Sequence, residues 1–149
     1  MNKNHKNEKE IKELAHNFAK NLITKGPDKK RATIVALCGE LGAGKTTFTK
    51  SAARALKIKE IVPSPTFVIM RSYKLQTTNY QLFIHIDAYR LKNKKELLHL
   101  GWKELVNDPK NLIFVEWPEN IAKLIPKKAI KIALAHKGEG KREIKIKGL

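Results

Sequence analysis

Three glycines, a lysine and a threonine fall within eight residues at Gly39-Glu40-Leu41-Gly42-Ala43-Gly44-Lys45-Thr46. Gly, four residues, Gly, Lys, then Ser or Thr is the phosphate-loop pattern, and this stretch meets it without a mismatch. Gly39, Gly42 and Gly44 open backbone conformations closed to other residues, so successive N–H groups can turn onto one anion. A helix starting near Lys45 adds its unpaired N–H groups and the positive end of its dipole. Lys45 would reach the outer phosphates, and the Thr46 hydroxyl would ligate Mg2+. The expected phosphate cradle is therefore Glu40, Leu41, Gly42, Ala43, Gly44, Lys45, Thr46 and Thr47.

Such a loop works only between a buried strand and a helix. Residues 32–38 are almost continuously apolar, as in a strand covered on both faces. Residues 47–56 have helical composition with no Gly or Pro. Upstream, Ile11, Leu14, Ala15, Phe18, Ala19 and Leu22 mark one face of a helix that Gly26-Pro27 ends. Downstream, strands are expected at 67–75, 82–87 and 112–116, with 76–81 short enough for an antiparallel hairpin. Short helices are expected at 94–100, 102–106 and 119–124, and a closing hairpin at 129–135 and 143–147 around Gly138-Glu139-Gly140. The fold class is α/β, a P-loop NTPase-like three-layer fold with a mixed central sheet flanked by helices. No repeat or linker interrupts it, so residues 1–149 read as one domain, with 1–7 frayed for want of an apolar anchor.

A phosphate loop needs an acid on a neighbouring strand to hold Mg2+ or its waters. Asp87 and Glu116 each end an apolar strand, which in an open α/β sheet is where ligands bind. The 63–66 loop, Pro63-Ser64-Pro65-Thr66, is stiff and carries two hydroxyls. Its position after the phosphate-loop helix makes Ser64 and Thr66 a candidate switch for sensing the γ-phosphate.

Composition bounds the rest. With 149 residues and 42% hydrophobic content, the chain can build one real core. No apolar run reaches the ~18–20 residues of a membrane span, and the Lys/Asn-rich start lacks a secretory h-region. One cysteine, Cys38, leaves no internal disulfide, and together these features point to the cytoplasm. Lys and Arg number 31 against 14 acids, a formal net charge of +17. That surplus suits a polyanion such as RNA, yet 26 of the 31 are Lys spread along the whole chain, which suits compositional drift better.

Four motifs occur in order: residues 39–48, Ser64-Pro65-Thr66-Phe67, His85-Ile86-Asp87-Ala88-Tyr89-Arg90-Leu91 and Val115-Glu116-Trp117-Pro118-Glu119. Together they resemble the TsaE family of bacterial P-loop ATPases, over residues 8–147. Glu96-Leu97-Leu98-His99-Leu100-Gly101 is also similar to a segment of that family. The resemblance implies a weak ATPase using ATP and Mg2+, stimulated by its partners TsaB and TsaD. Those proteins place threonylcarbamoyl on the adenosine beside the anticodon of tRNA. It also implies that Lys45 and Thr46 hold phosphates and Mg2+, and that Asp87 is needed for hydrolysis. Glu116 becomes a metal ligand or its neighbour, with the roles of Asp87 and Glu116 exchangeable. Trp117 would flank the nucleotide pocket or pack in the core. The family's Thr-x-x-x-Gly setting in the first helix is absent at Ile11-Lys12-Glu13-Leu14-Ala15, so no base contact is assigned there.

Two other classes fit parts of the pattern. A small P-loop metabolite kinase would need a lid, for which 92–106 is the candidate, although it holds no Arg. A basic RNA-binding module with regulatory nucleotide binding would use the charge surplus. A GTPase is disfavoured because Asn93-Lys94-Lys95-Glu96 lacks the Asp of a guanine reader and reads as a helix start. Among Arg71, Arg90 and Arg142, Arg90 lies nearest a motif in sequence, and none is an evident arginine finger.

Overall fold

The computed structural model describes residues 5–40, 42–59, 69–76 and 78–149. Leu41, the candidate switch residues Ser64 and Thr66, and the start of the strand expected at 67 lie outside the described residues.

Seven strands form one mixed sheet in the order β1-β7-β6-β2-β5-β4-β3. They are β1 (His5–Lys6), β2 (Thr33–Gly39), β3 (Met70–Lys74), β4 (Leu82–Asp87), β5 (Asn111–Glu116), β6 (Ile130–His136) and β7 (Arg142–Lys147). β6, β2, β5 and β4 run parallel in the middle. β3 pairs antiparallel with β4 on one side, and β7 with β6 on the other. The helices are α1 (Glu8–Lys25), α2 (Lys45–Ala55), α3 (Lys94–His99) and α4 (Trp102–Val106), with 3-10 turns at Pro118–Leu124.

The layers follow from strand alternation, because successive side chains face opposite sides. Val35 and Leu37 of β2, Leu112 and Phe114 of β5, and Ile132 and Leu134 of β6 face α1 and α2. Ile34, Ile113 and Val115 face the other way, onto Leu97 of α3, Trp102 of α4 and Ile121 of the 3-10 turns. Both faces are covered, which is why these strands read as unbroken apolar runs. On α1, Ile11, Ala15, Phe18, Ala19 and Leu22 are all buried. At about 1.5–3 kcal/mol for each large side chain, that stripe outweighs any intrinsic helix propensity.

Phe18 ties the layers together. It meets Phe48 of α2 edge-on at 5.5 Å and Phe114 of β5 at 6.3 Å. Phe48 stands three residues beyond Lys45, so this contact pins the start of α2 over the sheet. No helix among the described residues is long and apolar enough to cross a membrane.

The expectation that residues 1–7 fray fails for residues 5–7. His5 and Lys6 pair with Glu143 and Arg142 of β7. Asn7 caps α1 in a reciprocal capping box with Glu10, at 2.8 and 3.1 Å. Backbone pairing and a polar cap hold this segment, and neither requires the apolar anchor whose absence suggested fraying. The Glu8–Lys25 helix, the β3–β4 hairpin and the β6–β7 hairpin stand where the sequence put them. Asn93 caps α3 through the Lys95 N–H at 3.0 Å, so residues 93–96 do begin a helix.

Candidate functional site

The phosphate loop emerges where β2 ends beside β6. At Gly39 a side chain would run into the Leu134 carbonyl of β6, so only glycine lets the strand turn here. The Ala43 N–H closes a turn onto the Glu40 carbonyl at 3.0 Å, and Ala43 itself is fully buried. Gly44 caps α2 in a left-handed conformation at φ 108°. Exposed Gly42 and half-buried Gly44 thus leave the backbone open to a ligand at the N-terminus of α2. Glu40 is exposed, while Thr46 and Thr47 are half-buried in the first turn of α2.

Lys45 turns back over this loop. Its Nζ donates to the Gly39 carbonyl and to the Glu40 carbonyl, the latter at 3.2 Å. Nζ also stands 3.6 Å from the centroid of the Trp117 ring, within range of a cation–π contact. Burial pushes the Lys45 ammonium below its ordinary value, and Glu116, Glu119 and Asp87 oppose that shift. An anion brought to the loop would supply the partner charge that burial takes from water.

Glu116 lies at the centre of the site and is 2% exposed. Thr46 Oγ1 donates to its Oε1 at 3.1 Å. On the other oxygen, Oε2, sits His85 Nε2 at 2.5 Å. A carboxylate only accepts, so the imidazole donates from Nε2. Asp87 pairs in register with Glu116 across β4 and β5. Its Oδ1 accepts the Tyr89 N–H at 3.0 Å, which fixes the carboxylate at the strand end. Phe83, His85 and Asp87 share one face of β4, and Leu112, Phe114 and Glu116 share one face of β5. The core face therefore turns polar at its C-terminal rim, beside α2.

Trp117 adopts a left-handed conformation between β5 and the 3-10 turns. This bend carries its ring over Lys45 and against Tyr89, centroid to centroid 4.9 Å. It lies half-buried at the edge of the second core, so it both packs and borders the loop.

Two residues enter that sequence reasoning missed, and a third that it named only as one of three arginines. His85 was part of a motif but had no role; its signal was a place two residues before Asp87, on the same strand face. His136 Nε2 lies 3.5 Å from where a Gly42 side chain would begin. Arg142, its partner in the β6–β7 register, lies about as close to Gly44, at 3.3–3.4 Å. The Arg142 Nε is buried with no hydrogen-bond partner among the described residues. Arg142, rather than exposed Arg90, is thus the arginine beside the loop. Nothing local signals this, because β6 and β7 bring it from about 100 residues away.

Hard oxygen donors suit Mg2+, which commonly takes one or two carboxylates and completes its shell with water and substrate phosphates. The Thr46 hydroxyl, Glu116 and Asp87 form such a set, and they fit that ion. Among the described residues no cluster of three or more His, Cys, Asp or Glu could cage a metal by itself.

A strand ending in a Gly-rich turn, a helix opening on Lys-Thr, and an acid on the adjacent parallel strand define a P-loop NTPase-like protein. The comparisons are narrower. The family model for threonylcarbamoyl adenosine biosynthesis protein TsaE matches residues 5–144, and the chain belongs to the TsaE family. The chain is 38% identical to the TsaE of Rickettsia typhi over 141 residues, 94% of this chain and 90% of that protein. It is 36% identical to the TsaE of Bacillus subtilis over 115 residues, 77% and 69% of the two chains. Both are named as tRNA threonylcarbamoyladenosine biosynthesis proteins. The crystal structure of Bacillus subtilis YdiB superposes with a TM-score of 0.71 at 30% identity, covering 94% of this chain and 80% of that one.

Proposed function

We propose that the chain is a Mg2+-dependent ATPase supporting TsaB and TsaD in the threonylcarbamoyladenosine modification of tRNA beside the anticodon. The observation that carries the nucleotide part is the convergence of Lys45, Thr46 and buried Glu116 at the ends of β2 and β5. The names of the relatives carry the tRNA part.

In this reading the loop N–H groups of residues 40–47 receive the phosphates. Lys45 gives up the Gly39 and Glu40 carbonyls and turns its ammonium to the outer phosphates. Thr46 and Glu116 would hold Mg2+, which when bound would neutralise phosphate charge. His85 keeps Glu116 oriented from behind. Asp87 would orient the attacking water or help to hold the ion's hydration shell. Trp117 borders the pocket, and Arg142 reaches the loop from the far hairpin. Ser64 and Thr66 act as the γ-phosphate switch. Turnover of the isolated protein is weak and rises with its partners, and the chain works in the cytoplasm.

The metabolite-kinase reading loses support at its lid. Leu97 and Trp102, inside the 92–106 segment, are buried in the second core, 0% and 3% exposed. A segment anchored in this way does not swing freely over a substrate.

Equilibrium titration with a fluorescent ATP analogue, with and without Mg2+, tests the site. Lys45→Ala should abolish Mg2+-dependent binding, and unchanged affinity would sink the assignment. Hydrolysis measured on adding TsaB and TsaD homologues tests the partners. No stimulation, together with phosphate transfer to a small metabolite, would replace this reading with the kinase.

A further inference from the structure

A cavity of about 630 Å³ lies at the opposite end of the sheet from the phosphate loop. Thr33 at the start of β2 and Ile130 at the start of β6 line it, whereas the loop follows the end of β2. A seven-residue strand separates them by about 20 Å. Its size falls in the range of ligand pockets.

The rim is one-sided in charge. Lys25, Lys29 and Arg31 come from the end of α1 and the turn after it, and Lys127 and Lys128 from the turn before β6. All five are exposed, and none meets a carboxylate within 4 Å among the described residues. Among the described residues Asp28 is the single acid on the rim, and its Oδ1 is taken by the Lys29 N–H at 2.7 Å. Across the whole chain cations outnumber acids by 31 to 14, about two to one, but around this basin by five to one. The carbonyl end of α1 opposes an anion, but it carries only about half a charge against five full ones.

The floor is apolar or already satisfied. Ala32, Ile34 and Ala129 are buried there. The Tyr80 hydroxyl lies 2.9 Å from Thr33 Oγ1 and donates to the Gly26 carbonyl at 3.1 Å. No side chain on the floor is left to read a base edge, while the rim offers point charges without directional demand.

We propose that this basin is a second anion site that binds the phosphodiester backbone of RNA without regard to sequence. Rim cations hold successive phosphates, and the apolar floor takes a sugar or base between them. The inference rests on the proposed place of the chain in tRNA modification, since an RNA partner is what that place supplies.

The test is binding of an unmodified tRNA transcript to the full chain, titrated across salt concentration by fluorescence anisotropy. Replacing Lys29, Arg31, Lys127 and Lys128 by Gln should lower affinity at least tenfold. It should also reduce the slope of log K against log salt by about 3, at about 0.7 per lost contact. ATP-analogue binding by the same variant should stay at the wild-type value, which also reports intact folding. Lys127→Gln/Lys128→Gln alone should give about half the slope change. Neutralising four cations elsewhere (Lys9, Lys12, Lys94 and Lys95) should cost less than threefold. Equal losses from both sets would overturn the basin in favour of diffuse charge. No tRNA binding at 50 mM salt, or tighter binding of polyglutamate than of tRNA, would also overturn it. Lys45→Ala should lose ATP and keep tRNA, so failure of the basin and failure of the nucleotide reading give different results.

Discussion

Substituting His85 by Leu removes one of the two partners of a carboxylate that is almost wholly buried. Glu116 Oε2 then faces the apolar substituent, while Oε1 keeps the Thr46 hydroxyl. Breaking a buried pair from one side costs about 3–5 kcal/mol, and the surviving Thr46 bond sets this case at about 3 kcal/mol. Unfolding entropy of about 2.1 cal/mol/K per residue over 149 residues is about 0.3 kcal/mol/K. The melting temperature should therefore fall by about 10 °C, read by circular dichroism without nucleotide. Adding Glu116→Gln to His85→Leu removes the stranded charge, so the double variant should melt above the single one. That ordering separates electrostatics from lost packing, which the second change does not repair. A second readout is Mg2+ dependence. In His85→Leu, nucleotide binding should lose more of its Mg2+ enhancement than of its Mg2+-free affinity. A fall of less than 3 °C, or a double variant less stable than the single, would refute the claim that His85 holds Glu116.

Gly39→Ala should cost about 3 kcal/mol in urea denaturation, because the new methyl meets the Leu134 backbone, which cannot yield. Gly138→Ala, with no heavy atom within 4 Å but φ at +80°, should cost only about 1 kcal/mol. Asp87→Ala should keep ATP affinity within about threefold and lower turnover about 100-fold in a phosphate-release assay; full hydrolysis would remove its catalytic role. Lys45 has a lowered folded-state pKa, so above that value the unfolded chain binds more protons than the native one. Wild-type stability should therefore rise relative to Lys45→Met as pH climbs towards the ordinary lysine value of 10.5, and level off beyond it. A difference independent of pH would show that burial does not penalise the ammonium.

What could be read from one dimension was whatever has a period or a pattern. The stripe Ile11, Ala15, Phe18 and Leu22 marks α1 because a helix turns every 3.6 residues. Gly39 to Thr46 marks the phosphate loop because the required conformations restrict residue type. Asp87 and Glu116 were legible as strand ends, since an acid closing a buried run has few structural uses. The same logic failed at His5 and Lys6, whose order comes from the β7 backbone rather than from side chains.

The sequence by itself determined the class of site and the family, because local geometry and residue chemistry are written in short stretches. Only tertiary structure decided which residues share a carboxylate, which arginine stands beside the loop and where the cations gather. His85 reaches Glu116 across two strands, and Arg142 reaches Gly44 through a sheet whose β7 sits three strands from β5. Lys25 and Lys128 share a rim although about 100 residues separate them. Strand order and register set such distances, and many strand orders are compatible with the same local patterns.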